Sequence, residues 1–168
     1  MPSPLCRTSP RAEGPESKPV EVKGIQPCSS LPLGGQHAED DLLPDLRLPC
    51  LTSGRQIDLR DLPGRPVLVD LWPTWCSPCR KEMPQLQAAY ERFGDRVAFV
   101  GVDTQDYPEA AGEFLEEVGV TYPQLADPDA ELLGFTRIPG LPVTLLLDAD
   151  GVIVNRHIGE LMRLTSRN

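Results

Sequence analysis

Short apolar runs separated by Gly, Pro and Asp clusters fill the chain from Leu43 onward, and each run fits one regular element. Leu46 to Leu51 and Gln56 to Leu62, with Ser53-Gly54 between them, predict a small antiparallel pair. Arg65 to Trp72 lies between Gly64 and Pro73 and is nearly continuously apolar, which suits a strand buried on both faces, with Asp70 as the anomaly inside it. Ser77 to Phe93 has helical spacing, with Met83, Leu86, Ala89 and Tyr90 near one face, Gly94 placed to end it and Pro84 predicting a kink. Val97 to Val102 predicts a second buried strand, and Tyr107 to Val118 a second helix closed by Gly119. A short extended piece over Tyr122 to Ala126 and a brief helix over Asp129 to Phe135 follow. Val143 to Leu147 and Val152 to Ile158 form a hairpin around Asp148-Ala149-Asp150-Gly151, and a helical stub follows Gly159. Strands alternating with helices imply an α/β fold with a parallel sheet, and the closing hairpin makes that sheet mixed.

Residues 1–40 break this pattern. Their prolines, Ser, Gly and charges show no period of either 2 or 3.6, so they are expected to be a flexible Pro-rich arm ahead of one domain over residues 41–168. With 25 acidic against 16 basic residues the formal charge is -9, which disfavours nucleic acid as a partner. No run approaches the roughly 18 apolar residues of a membrane-spanning helix, and no signal-peptide apolar region is visible near Met1.

The chain has 5 cysteines. Cys76 and Cys79 stand three apart where a buried strand gives way to a helix, a geometry in which the first turn holds both thiols together. At the helix N-terminus, unpaired N–H groups and the positive dipole end stabilise a thiolate and lower the pKa of Cys76, which is therefore the expected nucleophile. Cys79, one turn inside, is shielded and resolves the mixed disulfide. Pro78 presets the first helical turn without sacrificing a hydrogen bond, and Ser77-Pro78 is the dipeptide that tunes the potential. A zinc site lacks partners: there is no second C-x-x-C, and His37 and His157 are far apart, so neither a metal nor a cofactor is expected. A purely structural role for so small a disulfide loop would stabilise little.

Val67-Leu68-Val69-Asp70-Leu71-Trp72-Pro73-Thr74-Trp75-Cys76-Ser77-Pro78-Cys79-Arg80-Lys81-Glu82-Met83-Pro84 closely resembles the active-site segment of thioredoxin-like proteins of the TlpA/ResA type. The likeness extends through Gly140-Leu141-Pro142-Val143-Thr144 and the hairpin at Leu147 to Gly151, covering about Leu43 to Glu160. It implies a thioredoxin-like mixed sheet flanked by helices, an N-terminal β-hairpin, and a helix/strand insertion of the TlpA type between Asp103 and Pro142. It implies cis-proline at Pro142, with Leu141 offering its backbone to a substrate strand. It further implies a monomeric reductase of disulfide-bearing proteins in the cell envelope, as in cytochrome c maturation, recharged by a thiol electron donor that can be membrane-bound. The sequence departs from the family at Pro73, Ser77 and Asp70, and the closing helix looks short.

Asp70, six residues before Cys76 on an otherwise apolar strand, is expected to be desolvated, with a raised pKa, and to accept the proton of Cys79. The lesser alternative is an aspartate facing water at a strand edge. Trp75 is placed to shape the substrate surface and Trp72 to pack in the core. Cys28 and Cys50 flank the junction of arm and domain, and a disulfide between them would add roughly 3 kcal/mol by loop entropy in an oxidising compartment. Cys6 has no assigned role. Two other functions compete. A thiol peroxidase would need a threonine three residues before its cysteine, whereas Thr74 is two before Cys76. A copper-handling module generally uses a wider cysteine spacing and a nearby histidine.

Overall fold

The computed structural model describes residues 14–34, 41–62 and 64–161. Its centre is a five-stranded mixed sheet in the order β5-β4-β3-β6-β7, made of β3 (Val67–Trp72), β4 (Ala98–Thr104), β5 (Gln124–Asp127), β6 (Val143–Leu147) and β7 (Ile153–Ile158). β3 runs parallel to β4 and antiparallel to β6, so the strand leading into the cysteines is the central one. β1 (Arg47–Pro49) and β2 (Gln56–Asp58) form the expected antiparallel pair as a separate small sheet, and a 3-10 turn over Leu59–Asp61 follows.

Among the described residues, three α-helices accompany the sheet: α1 (Ser77–Phe93), α2 (Pro108–Val118) and α3 (Glu131–Thr136). α1 runs through Pro84 without a break because that residue is exposed, where the carbonyl left without its amide partner can be hydrated. α2 begins on Pro108 and ends at Gly119, whose φ of 71° is the left-handed conformation a side chain would strain. The extended piece read at Tyr122 to Ala126 is a true strand: β5 pairs with β4 from Gly101↔Gln124 to Thr104↔Asp127. β4 likewise runs on to Thr104, because Asp103 and Thr104 are buried rather than turning to solvent.

The alternation along β3 decides what lies on each face. Val67, Val69 and Leu71 join one apolar cluster with Leu48, Ile57, Val100 and Leu145. Trp72 joins the other with Met83 and Leu86 of α1 and Phe114 and Leu115 of α2. Asp70, between Leu68 and Trp72 in the period-2 pattern, therefore points into the helix-covered face. Gly101, beside Asp70 in the sheet, has a specific reason: a Cβ there would overlap the Gln124 side chain, whose Oε1 accepts from Trp72 Nε1 at 3.0 Å.

The expected arm is where the structure departs furthest. Within residues 14–34, Val22, Cys28 and Leu31 are buried, Val20 N–H donates to the Leu51 carbonyl at 3.0 Å, and Gln26 N–H donates to that of Thr121 at 2.8 Å. Sparse apolar residues without a period suffice when a covalent link supplies the local order, and Cys28 is bonded to Cys50 (Cα–Cα 6.1 Å). Cys6, His37 and most of the expected C-terminal stub lie outside the described residues.

Replacing Cys28 and Cys50 together by Ala is expected to lower stability by about 3 kcal/mol in the loop-entropy account and to leave disulfide reduction intact. Urea unfolding with a parallel insulin-reduction assay checks this, and loss of activity in a folded variant would mean that the arm takes part in catalysis.

Candidate active site

β3 delivers the chain to the site, and Pro73-Thr74-Trp75 turns it into α1. Cys76 is the N-cap of α1, with φ -98° and ψ 106°, and its sulfur accepts from the Cys79 amide at 3.3 Å. A cap sulfur bonded to a first-turn amide is the arrangement that stabilises a thiolate when the pair is reduced. Cys76 and Cys79 are joined here at 2.10 Å. Cys76 is 6% exposed and Cys79 1%, so approach from solvent reaches the first sulfur before the second.

A groove of about 480 Å³ opens beside Cys76, walled by Trp75, Pro78, Leu133, Ile138, Pro139 and Leu141. Among the described residues that line it, Cys76 is the one with an ionisable side chain. Trp75 is 62% exposed yet held, because its indole N–H donates to the Gln105 carbonyl at 3.0 Å. Trp72 is fully buried, as expected of a core residue. The Leu141-Pro142 peptide is cis, and the Pro142 carbonyl accepts from Gly159 N–H at 2.9 Å. His157 sits on β7 opposite Thr144, with Nε2 3.3 Å from the Glu160 carbonyl oxygen.

Asp70 is buried on the central strand, so it is not an edge residue facing water. Among the described residues neither of its carboxyl oxygens has a partner at good hydrogen-bond geometry, although the Tyr122 hydroxyl is near enough to act on it. Burial first, then the neighbouring Glu82 charge, holds its pKa well above the ordinary carboxylate range.

Glu82 escaped the sequence reading as a site residue. It lies one turn after Cys79 on the same buried stripe of α1, its Oε1 accepts from the Thr144 hydroxyl at 3.3 Å, and its Oε2 has no hydrogen-bond partner among the described residues. Burial raises its pKa as well. Thr144 is the cross-strand partner of Asp70, which brings the two acids to one place behind the cysteines. The buried Tyr122 hydroxyl faces the same pair, and burial raises its pKa well above the phenol range. A signal for Glu82 was present: it is four residues before Leu86 and seven before Ala89, on the apolar face.

The peroxidase arrangement finds no support here, because the Thr74 hydroxyl is committed to Asp106 Oδ1 at 2.9 Å. A second acidic group lies at the C-terminal ends of β4 and β5. Asp103 is buried, and its pKa is pushed up to about 10 by burial and by Asp106. Asp127 is buried but accepts from the Glu131 and Leu133 amides and the Thr104 hydroxyl.

Known proteins are similar to this chain. Residues 38–166 match the redoxin family. The thiol-disulfide oxidoreductase ResA of Bacillus anthracis is 32% identical over 127 residues, covering 75% of this chain and 70% of that protein. The thioredoxin-like protein YneN of Bacillus subtilis is 31% identical over 128 residues, covering 74% of each. Among solved structures, the thioredoxin domain of a thiol-disulfide oxidoreductase from Bacteroides vulgatus superposes with a TM-score of 0.64 at 32% identity, covering 73% of this chain and 89% of that one. A secreted Mycobacterium tuberculosis disulfide oxidoreductase homologous to Escherichia coli DsbE gives 0.63 at 26% identity, covering 74% and 92%. With a dithiol pair at the start of α1, a mixed sheet behind it and relatives of this kind, the chain belongs to the redoxin family as a thioredoxin-like thiol-disulfide oxidoreductase of the TlpA/ResA type.

Proposed function

We propose that this chain is a reductase of protein disulfides whose cysteines are flanked by apolar residues, working in an oxidising compartment. The observation that carries the reading is the groove beside Cys76, which offers an apolar wall and no charge to whatever docks there. In the reduced enzyme the Cys76 thiolate attacks one sulfur of the substrate disulfide, and the other leaves as a thiolate that takes up a proton. Cys79 then loses its proton, attacks Cys76 in the mixed disulfide and releases the substrate as a dithiol. The enzyme ends in the Cys76–Cys79 disulfide, and a dithiol donor returns two electrons and two protons.

Cys28–Cys50 supports the compartment, because such bonds persist where thiols are not kept reduced, as in the cell envelope or outside the cell. Among the described residues no helix is long and apolar enough to cross a membrane.

The equilibrium potential of the Cys76–Cys79 pair against glutathione tests the direction. A value near the roughly -270 mV of thioredoxin supports the reductase, and one near the roughly -120 mV of DsbA would make the chain an oxidant instead. The groove has its own test. Leu133→Asp and Ile138→Asp are each expected to raise KM for insulin about tenfold, because an apolar side chain docked there would face a desolvated carboxylate. Reaction with the small neutral hydroxyethyl disulfide should stay within about twofold. Equal losses on both substrates would show that the groove does not select the substrate.

A further inference from the structure

The turn between β4 and α2 touches the loop before the nucleophile at several points. Thr74 N–H donates to Asp106 Oδ2 at 2.7 Å and the Thr74 hydroxyl to Oδ1 at 2.9 Å. On the other side, Arg80 Nη1 donates to the Thr74 carbonyl at 3.3 Å, so every polar atom of Thr74 is held. One residue on, the Trp75 indole is fixed by the Gln105 carbonyl.

Gln105 adopts φ 50°, a left-handed conformation that a side chain of this size takes only where the surroundings impose it. Its amide is tied to the Asp127 carbonyl at 3.1 Å, and Asp106 Oδ1 also accepts from Tyr107 N–H at 2.9 Å. The turn is thus built rigid on one side and reaches the active-site loop with the other. Beside it, buried Asp103 has its pKa pushed up to about 10, by burial first and then by Asp106.

We propose that Asp106 is a positioning residue for the disulfide exchange: its carboxylate clamps Thr74, and the same turn fixes Trp75, so that Cys76 and the groove wall beside it are presented in one orientation. Asp106 touches no reacting sulfur. It acts through the three-residue loop, which Arg80 also holds at the Thr74 carbonyl and Gln105 at the Trp75 indole. An exposed tryptophan that contacts substrate gains most from such a clamp, because ordering it beforehand removes an entropy loss from the binding step. The inference rests on the reading of Cys76 as nucleophile and of the groove as the docking surface.

The experiment compares wild type, Asp106→Ala, Asp106→Asn, Thr74→Val and the double variant Thr74→Val with Asp106→Ala, each assayed with insulin and with hydroxyethyl disulfide. Asp106→Ala is expected to lose about tenfold in kcat/KM on insulin, carried by KM, with the small disulfide changed less than about twofold. Asp106→Asn, which keeps an acceptor oxygen, should recover to within about threefold of wild type. The double variant should be no worse than Asp106→Ala alone, because losing the carboxylate already removes the hydroxyl bond that Thr74→Val removes. Should Asp106→Ala fail to fold, Thr74→Val must show the same split between substrates at about threefold.

Equal losses on both substrates, additive effects in the double variant, or no loss on insulin would each overturn the clamp. A Cys76→Ser control separates the two readings. If it is inactive while Asp106→Ala is unimpaired, only the clamp fails, and if it is active the nucleophile assignment fails first.

Discussion

Replacing Cys76 by Ser is expected to abolish disulfide reduction, by roughly three orders of magnitude or more, because a hydroxyl at the cap of α1 cannot form a mixed disulfide. Cys79→Ser should have a different signature. It leaves Cys76, its helix-end environment and the groove in place, and removes the sulfur that would displace the substrate. The first exchange then proceeds and the second cannot, so the variant accumulates a covalent adduct with a disulfide-bearing substrate.

Intact-mass measurement after incubation with an oxidised protein reads this directly. An adduct on Cys79→Ser that dithiothreitol removes, and none on Cys76→Ser, is the expected result. The reverse pattern would make Cys79 the attacking thiol. The asymmetry has a physical origin: Cys79 is 1% exposed and packed in the core behind α1, whereas Cys76 borders the groove. A buried thiol reaches a sulfur already bonded to its neighbour more readily than one arriving from solvent.

Period and punctuation made most of the sheet legible in the sequence. The run around Val67, the Asp-Gly hairpin and the Gly-terminated helices stand within a few residues of where they were read. The cysteine pair was legible because strand end, C-x-x-C and helix start coincide there. β5 was read only as an extended piece because its four residues carry two polar side chains, Gln124 and Asp127, whose burial depends on partners distant in sequence. The order of residues 14–34 was hidden for a related reason. Their stability comes from a cross-link and from backbone bonds to Leu51 and Thr121, neither of which leaves a periodic trace. Glu82 stood visibly on the apolar face of its helix, but its neighbour Asp70 across the helix–sheet boundary, and the reach of Asp106 back to Thr74, needed the fold itself.

Asp70→Asn should show which task the buried acid performs. The folded pKa of Asp70 is raised by burial and by Glu82, while the unfolded chain has an ordinary aspartate near 3.9. Below about pH 4 both states hold the proton, and the carboxyl carries no charge penalty. As pH rises beyond that, the unfolded chain gives up its proton and the native state does not, so the native protein loses stability by up to about 1.4 kcal/mol per pH unit until the folded pKa is reached. An amide does not titrate. The stabilisation from Asp70→Asn should therefore be small at pH 4 and grow toward pH 7, which urea midpoints of both proteins at the two pH values measure. In kinetics the same substitution should slow the resolving step near pH 7, because Cys79 must lose a proton to attack and Asp70 is a buried carboxyl with a raised pKa, a group an amide cannot replace in proton transfer. Glu82→Gln provides the comparison: it removes the charge that raises Asp70 and leaves the acceptor in place, so the pH dependence of resolution should move to lower pH rather than flatten. Identical resolution profiles in all three proteins, with a midpoint difference that does not change between pH 4 and 7, would remove Asp70 from the proton path and leave the acid pair without a role in exchange.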